Sequence, residues 1–193
     1  MKKILAIKSS INGANSISNK LIDEVLSLND NSNTTVRDLG AAPLPHLSQH
    51  EMGAWMATVD QITPEQRELK AISDAVVEEV KAADVILIGL PMYNFAVPSN
   101  FKSWIDRLAR AGVTFNYTEN GPVGLLDDKP VYVIATRGGK YHGTPMDSQT
   151  QFIKDVFAFV GLKNVNFVYV EGLAMGEADT AIANAQSALS IAL

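Results

Sequence analysis

The chain has no cysteine, only three histidines, and no cluster of lysine and arginine. The first absence removes disulfide frameworks, thiolate metal sites and thiol catalysis, and is compatible with a reducing compartment. The lack of a basic cluster, with 16 Lys+Arg against 21 Asp+Glu and a net charge of −5, argues against attachment to nucleic acid. No apolar run approaches the ~20 residues needed to cross a bilayer. Lys2 and Lys3 resemble the start of an export signal, but the apolar run after them meets Lys8 too soon. An export signal needs roughly 7–15 apolar residues there. The expectation is a soluble, cytoplasmic protein. Low-complexity tracts, repeats and linkers are also missing, so the 193 residues read as a single domain, 1–193.

What the chain does have is 47% hydrophobic residues, enough to build a core without staples. Apolar, β-branched runs at 4–8, 85–90, 131–136 and 165–170 have the character of strands buried on both faces of a parallel sheet. A weaker alternating run at 34–38 predicts an edge strand. Helical periodicity fills the intervals. Ile17, Leu21, Ile22, Val25 and Leu26 share one face behind Ser16, a candidate N-cap. Thr63-Pro64-Glu65-Gln66 predicts a capping box and a helix to about Ala82 that buries Leu69, Ile72, Val76, Val77 and Val80. Ser99 is placed to cap a helix carrying Phe101, Trp104, Ile105 and Leu108. Phe152, Val156, Phe159 and Val160 mark another helix, closed by Gly161, and 178–193 a last one.

Alternating strands and helices predict an α/β fold, a doubly wound five-stranded parallel sheet of the flavodoxin-like order 2-1-3-4-5. Residues 40–62 form an unusually long connection, with a short helix expected near 51–59 and the character of a lid or partner surface. Residues 114–126 read as a turn-rich loop. His46 and His50 are four residues apart, but Pro45 precedes them and no carboxylate has matching spacing, so no metal site is expected.

Ligands of open α/β sheets sit beyond the carboxyl ends of the strands. After the first strand comes a run of hydroxyls and amides, Ser9-Ser10-Ile11-Asn12-Gly13-Ala14-Asn15-Ser16-Ile17-Ser18, entering a helix. Free N–H groups there suit a phosphate monoester, although a merely capped helix would look the same. The spacing is neither G-x-x-x-x-G-K-[ST] nor G-x-G-x-x-G. After the third strand, Pro91-Met92-Tyr93-Asn94-Phe95 offers flat and polarisable side chains for a ring system. After the fourth, Thr136-Arg137-Gly138-Gly139 offers free N–H donors and a positive charge, or simply a tight turn. Together the three loops fit a flat cofactor with a phosphate tail, and flavin mononucleotide (FMN) is the natural candidate.

With those loops in view, the sequence resembles the FMN-dependent NADH-azoreductases, also described as NADH:quinone oxidoreductases, of the flavodoxin-like superfamily. The likeness spans essentially the whole chain. It is carried by Lys8-Ser9-Ser10 with Ser16 and Ser18, by PMYNF at 91–95, by ARAGVTF at 109–115 with YTENGP at 117–122, by Arg137-Gly138-Gly139, and by Glu171-Gly172. The resemblance implies an FMN phosphate on Ser10, Ser16, Ile17 and Ser18, and an isoalloxazine ring against Met92, Tyr93, Asn94 and Phe95. Thr136, Arg137, Gly138 and Gly139 would meet its polar edge. It implies acceptor contacts from Tyr117 and Phe159, and a homodimer in which 40–62 and 114–126 help to build the partner's pocket.

Hydride would pass from NADH, or NADPH, to the flavin and then to quinone, azo or nitroaromatic acceptors in a ping-pong cycle, with no side-chain nucleophile. Two positions depart from the family pattern: Thr136 replaces a common Ser, and Lys140-Tyr141-His142 follows the glycines where relatives often place His. No role follows for Tyr141 or His142. The alternative reading is a single-electron carrier of flavodoxin type, though a dense acidic docking face is lacking. A phospho-receiver domain would need acidic metal ligands where strand one ends in Lys8-Ser9-Ser10.

Overall fold

The structure, a computed structural model, describes residues 2–28, 33–57, 60 and 62–192. In chain order the elements are β1 (Ile4–Lys8), α1 (Ile17–Ser27), β2 (Thr34–Asp38), α2 (Gln49–Met56), α3 (Pro64–Ala82), β3 (Val85–Pro91) and α4 (Ser99–Leu108). They continue with β4 (Phe115–Thr118), β5 (Gly121–Gly124), β6 (Val131–Thr136), α5 (Ser148–Val160), β7 (Val165–Val170) and α6 (Ala178–Ala192).

Five strands form one parallel sheet in the order β2-β1-β3-β6-β7, the order anticipated for the five-stranded fold. Side chains alternate across it and feed two cores. Leu5, Ile7, Ile86, Ile88, Leu90, Val131 and Val133 face α3, α4 and α5, where Val76, Val80, Phe101, Trp104 and Phe157 are buried. Ile4, Ala6, Leu87, Ile134 and Val170 face α1 and α6 through Leu21, Ile22, Val25, Ala185 and Leu189. Each such aliphatic side chain contributes about 1.5–3 kcal/mol on burial, so the sheet is held by apolar area from both sides.

The local signals were mostly sound. Thr63 and Gln66 bond reciprocally in a capping box with Pro64 in the first turn. Gly161 ends α5 at φ 110°, a left-handed backbone that glycine adopts without steric cost. Four expectations need correction. Pro98, not Ser99, occupies the N-cap of α4, and its extended backbone leaves Ser99 as the first helical residue with no side-chain cap. Leu69 and Ile72 are half-buried, because the deep stripe of α3 runs through Ser73, Val76, Val77 and Val80. The stretch 114–126 contains an antiparallel hairpin, β4 with β5. The short helix of the long connection is α2, at Gln49–Met56; Ala57 caps it in an extended conformation, and Thr58 and Val59 of the expected span lie outside the described residues.

That connection is tied down rather than free to act as a lid. Arg107 of α4 donates from Nη2 to Glu51 at 2.6 Å and from Nη1 to the Pro45 carbonyl at 2.8 Å, with both charged side chains buried. Asn100 donates to the Leu39 carbonyl at 3.0 Å, and Arg110 lies 5.4 Å over the Trp55 ring.

Candidate functional site

The parallel topology brings the loops after β1, β3, β6 and β7 to one edge. Ser9 turns back to donate to the Gly89 carbonyl at 2.7 Å, which frees Ser10 to point onward. The Ser10 hydroxyl bonds the Tyr93 hydroxyl at 3.1 Å and accepts from the Asn12 N–H, linking the first loop to the third-strand loop. Ser16 caps α1 by accepting from the Asn19 N–H at 3.1 Å, and its hydroxyl also meets that of Ser18 at 3.1 Å. The N–H groups of Ile17 and Ser18 find no acceptor among the described residues. A first helical turn with open donors carries the positive end of the helix dipole.

The loop after β3 is strained. Asn94 and Phe95 have φ of 50° and 65°, and Tyr93 and Ala96 exchange backbone hydrogen bonds at 3.0 Å around them. Positive φ at both central residues is the geometry of a type I′ turn, which Asn tolerates and Phe does not favour. Ser148 donates to the Phe95 carbonyl, and Gln149 donates to the Pro91 carbonyl at 3.0 Å, holding the turn from α5.

After β6, the carbonyls of Arg137, Gly138 and Gly139 accept from Leu173, Ala174 and Gly172 respectively. The N–H groups of Gly138 and Gly139 have no acceptor among the described residues. Neither glycine has positive φ, so the pair is not explained by a left-handed turn. Arg137 departs from the sequence expectation of a free positive charge. Its buried guanidinium pairs with Asp147 at 2.8 Å and Glu171 at 3.0 Å and donates to Thr150 at 3.0 Å. Burial alone would raise the Asp147 pKa, but hydrogen bonds from Arg137 and Thr150 outweigh it and hold the carboxyl below its usual range. Tyr169, beneath the same guanidinium, is pushed up by burial.

These loops enclose a cleft of about 170 Å³. Of the residues proposed from sequence, Ser10, Ser16, Ile17, Met92, Tyr93, Thr136, Arg137 and Gly138 line it, while Ser18, Asn94, Phe95 and Gly139 stand beside it in the same loops. Sequence reasoning missed Leu173, which enters from beyond β7; the strand-end rule applied to that last strand would have found it. Asn12, Asn15 and Pro91 line it too, from loops that were recognised. Tyr117 and Phe159 do not. They pack instead around Phe115, with ring centres 5.4 and 4.2 Å from it, and Tyr117 is 74% exposed.

Larger hollows among the described residues include one of about 540 Å³ near Lys3, Thr34 and Glu79 and one of about 490 Å³ lined by Val97, Lys102 and Phe152. The first lies at the amino ends of β1 and β2. Neither has the open backbone donors in its lining, which the smaller cleft at the carboxyl ends has through Ile17 and Gly138.

A family model described as a flavodoxin-like fold matches residues 2–192. Over 191 residues the chain is 49% identical to an FMN-dependent NADH:quinone oxidoreductase of Alteromonas mediterranea, covering 96% of this chain and 95% of that one. It is 45% identical over 190 residues to the protein of that name from Cellvibrio japonicus, covering 96% of each. The chain belongs to the flavodoxin-like FMN-dependent NADH:quinone oxidoreductase family. Family membership extends to shape: an azoreductase from Bacillus anthracis superposes with a TM-score of 0.87 at 27% identity, covering 100% of this chain and 99% of that one. A B. anthracis NADH-azoreductase in complex with FMN gives 0.86 at 26% identity, covering 100% and 97%. Among the described residues no helix is long and apolar enough to cross a membrane, and no group of metal-ligating side chains occurs.

Proposed function

We propose that this chain, acting as one unit over residues 1–193, is an FMN-dependent oxidoreductase that uses NADH to reduce quinones and aromatic azo compounds. The observation that carries the reading is the set of unpaired backbone donors around the cleft, at Ile17 and Ser18 on one side and at Gly138 and Gly139 on another. Backbone donors left open towards a cleft, rather than paired within the fold, suit a ligand that brings acceptors. A phosphate monoester suits the first pair, with the Ser10 and Ser16 hydroxyls beside it. The carbonyl-bearing edge of a flavin suits the second.

FMN, when bound, supplies two-electron transfer between NADH and the acceptor. The residues do the rest. Ser16 and Ser18 hold the phosphate at the helix dipole without any cation, since Lys8 is occupied by Asp23 at 2.6 Å and Arg137 by its two carboxylates. Met92, Tyr93, Asn94 and Phe95 support the ring face. The Gly138 and Gly139 N–H groups would donate to the carbonyl-bearing edge of the ring. Arg137 serves as the buried anchor of their loop, with Thr136 preceding it.

Tyr117 and Phe159 lie away from their own cleft, and Tyr117, Val123 and Leu125 leave an apolar edge exposed on and beside the hairpin. This supports a homodimer in which the hairpin of one subunit borders the acceptor site of the other. The single-electron carrier is the weaker reading, because the relatives named above are NADH oxidoreductases. An anaerobic stopped-flow experiment tests the function. Mixing the FMN-loaded protein with NADH should bleach the flavin band, and benzoquinone should restore it. Retained FMN that NADH leaves oxidised would instead support the carrier.

A further inference from the structure

We propose that Tyr141 is a specificity-determining residue, the side wall that limits the size of planar acceptor; this rests on the oxidoreductase reading above. Its ring lies on Gly139: a Cβ built on that glycine would come 2.7 Å from the Tyr141 Cζ and 2.8 Å from its hydroxyl oxygen. Gly139 has no positive φ, so the ring is what demands a glycine there. Gly138, next door, would accept a Cβ at ordinary contact distance, 3.5 Å from the Ala174 Cβ.

The backbone of Tyr141 is clamped on both sides. Its N–H donates to Glu171 Oε1 at 2.8 Å, and its carbonyl accepts from the Thr144 N–H at 3.0 Å and the Thr144 hydroxyl at 2.8 Å. Glu171 Oε1 is itself fixed by Arg137 at 3.0 Å and by the His142 N–H at 2.9 Å. The ring therefore has a defined place. From it, Tyr141 meets Phe95 edge-on, with ring centres 5.6 Å apart and planes at 75°. Phe95 reaches that contact from a backbone at φ 65°, an arrangement a bulky residue adopts only when its surroundings enforce it.

The ring pair thus joins the loop after β6 to the loop after β3, each next to residues that line the cleft, Gly138 in the one and Met92 and Tyr93 in the other. A flat acceptor stacked beside Phe95 must fit within that boundary, and a longer one must displace Tyr141. The Tyr141 hydroxyl has no hydrogen-bond partner among the described residues, so shape rather than polar recognition is the property it contributes.

The test compares FMN-loaded wild type, Tyr141→Ala and Tyr141→Phe with 1,4-benzoquinone, one ring, and anthraquinone-2-sulfonate, three fused rings. Tyr141→Ala should raise the ratio of kcat/KM for anthraquinone-2-sulfonate over benzoquinone roughly tenfold, through KM rather than kcat. Its Kd for anthraquinone-2-sulfonate, read from perturbation of the oxidised flavin spectrum, should fall by a similar factor. Tyr141→Phe should keep the wild-type ratio. An unchanged ratio in Tyr141→Ala overturns the wall, as does a shift in Tyr141→Phe as large as that in Tyr141→Ala, which would move the role to the hydroxyl. Loss of FMN from Tyr141→Ala also overturns it, making the residue part of the flavin cradle. Failure of wild type to bleach with NADH counts instead against the oxidoreductase reading.

Discussion

Arg137 holds a fully buried guanidinium between the carboxylates of Asp147 and Glu171, with the Thr150 hydroxyl as a further acceptor. Adjacent to two glycines at a strand end, it reads as a free cation for an anionic ligand; folded, it neutralises Asp147 and Glu171 inside the protein. Sequence spacing does not reveal this, since the partners are 10 and 34 residues away. Asp147→Asn takes one of two carboxylates from a buried guanidinium that keeps Glu171, so it should cost about 1–2 kcal/mol at neutral pH. The pH dependence follows from the direction of the shift. The folded Asp147 pKa lies below its ordinary 3.8, so the pair's contribution is complete above that value and is lost as pH falls through the folded one. Thermal denaturation should therefore show wild type and Asp147→Asn apart near neutrality and converging only in acid, below the ordinary carboxylate range. Parallel curves throughout would mean that Asp147 does not titrate with the fold.

Gly89 in β3 is matched to α1. A Cβ there would sit 2.9 Å from the Ile22 Cδ1 and 3.2 Å from the Ser18 Cβ, so the helix that presents the open N–H groups rests directly on this glycine. Gly89→Ala should lift the first turn of α1 by a few tenths of an ångström, costing roughly 1–2 kcal/mol of stability. It should also weaken FMN binding, measured by fluorescence titration, more than Thr63→Ala does. The Thr63 cap is worth about 1 kcal/mol, but α3 presents no donors to the cleft. Equal FMN affinity in both variants would detach α1 from the site. Elements of this kind were legible where burial wrote them into the sequence: four strands from aliphatic runs and β2 from a weaker alternation, α3 from its capping box, α5 from its glycine stop. The β4–β5 hairpin was not, because each strand is four residues long and GPVG consists largely of glycine and proline, which are depleted in strands. Its stability comes from tertiary contact, Phe115 against Phe159 and the Leu126 N–H on the Val160 carbonyl at 3.0 Å. The same reason hid Tyr141, whose importance lies in touching Gly139 and Phe95 rather than in any local pattern.

The whole molecule concentrates its open donors at one edge of the sheet and its exposed apolar side chains partly at the hairpin. Three strand-end loops could be read as one site from sequence because a parallel sheet must bring its carboxyl ends together. Local pattern does not tell whether Tyr117 borders its own cleft or that of a second copy; only the resemblance to dimeric relatives raised the second. Val123 and Leu125 are 49% and 44% exposed, and Tyr117 more so. If this edge is the dimer contact, the double variant Val123→Asp/Leu125→Asp places carboxylates where apolar area should be buried, at several kcal/mol per interface. Sedimentation should then show monomers where wild type sediments as a dimer. FMN bound by Ser16, Ser18 and Gly138 should be retained, because those residues belong to one chain. Quinone turnover should fall roughly tenfold or more, because the acceptor would lose the wall supplied by the partner. A variant that stays dimeric places the contact elsewhere on the surface. A monomer with full turnover shows instead that each cleft is complete within its own chain.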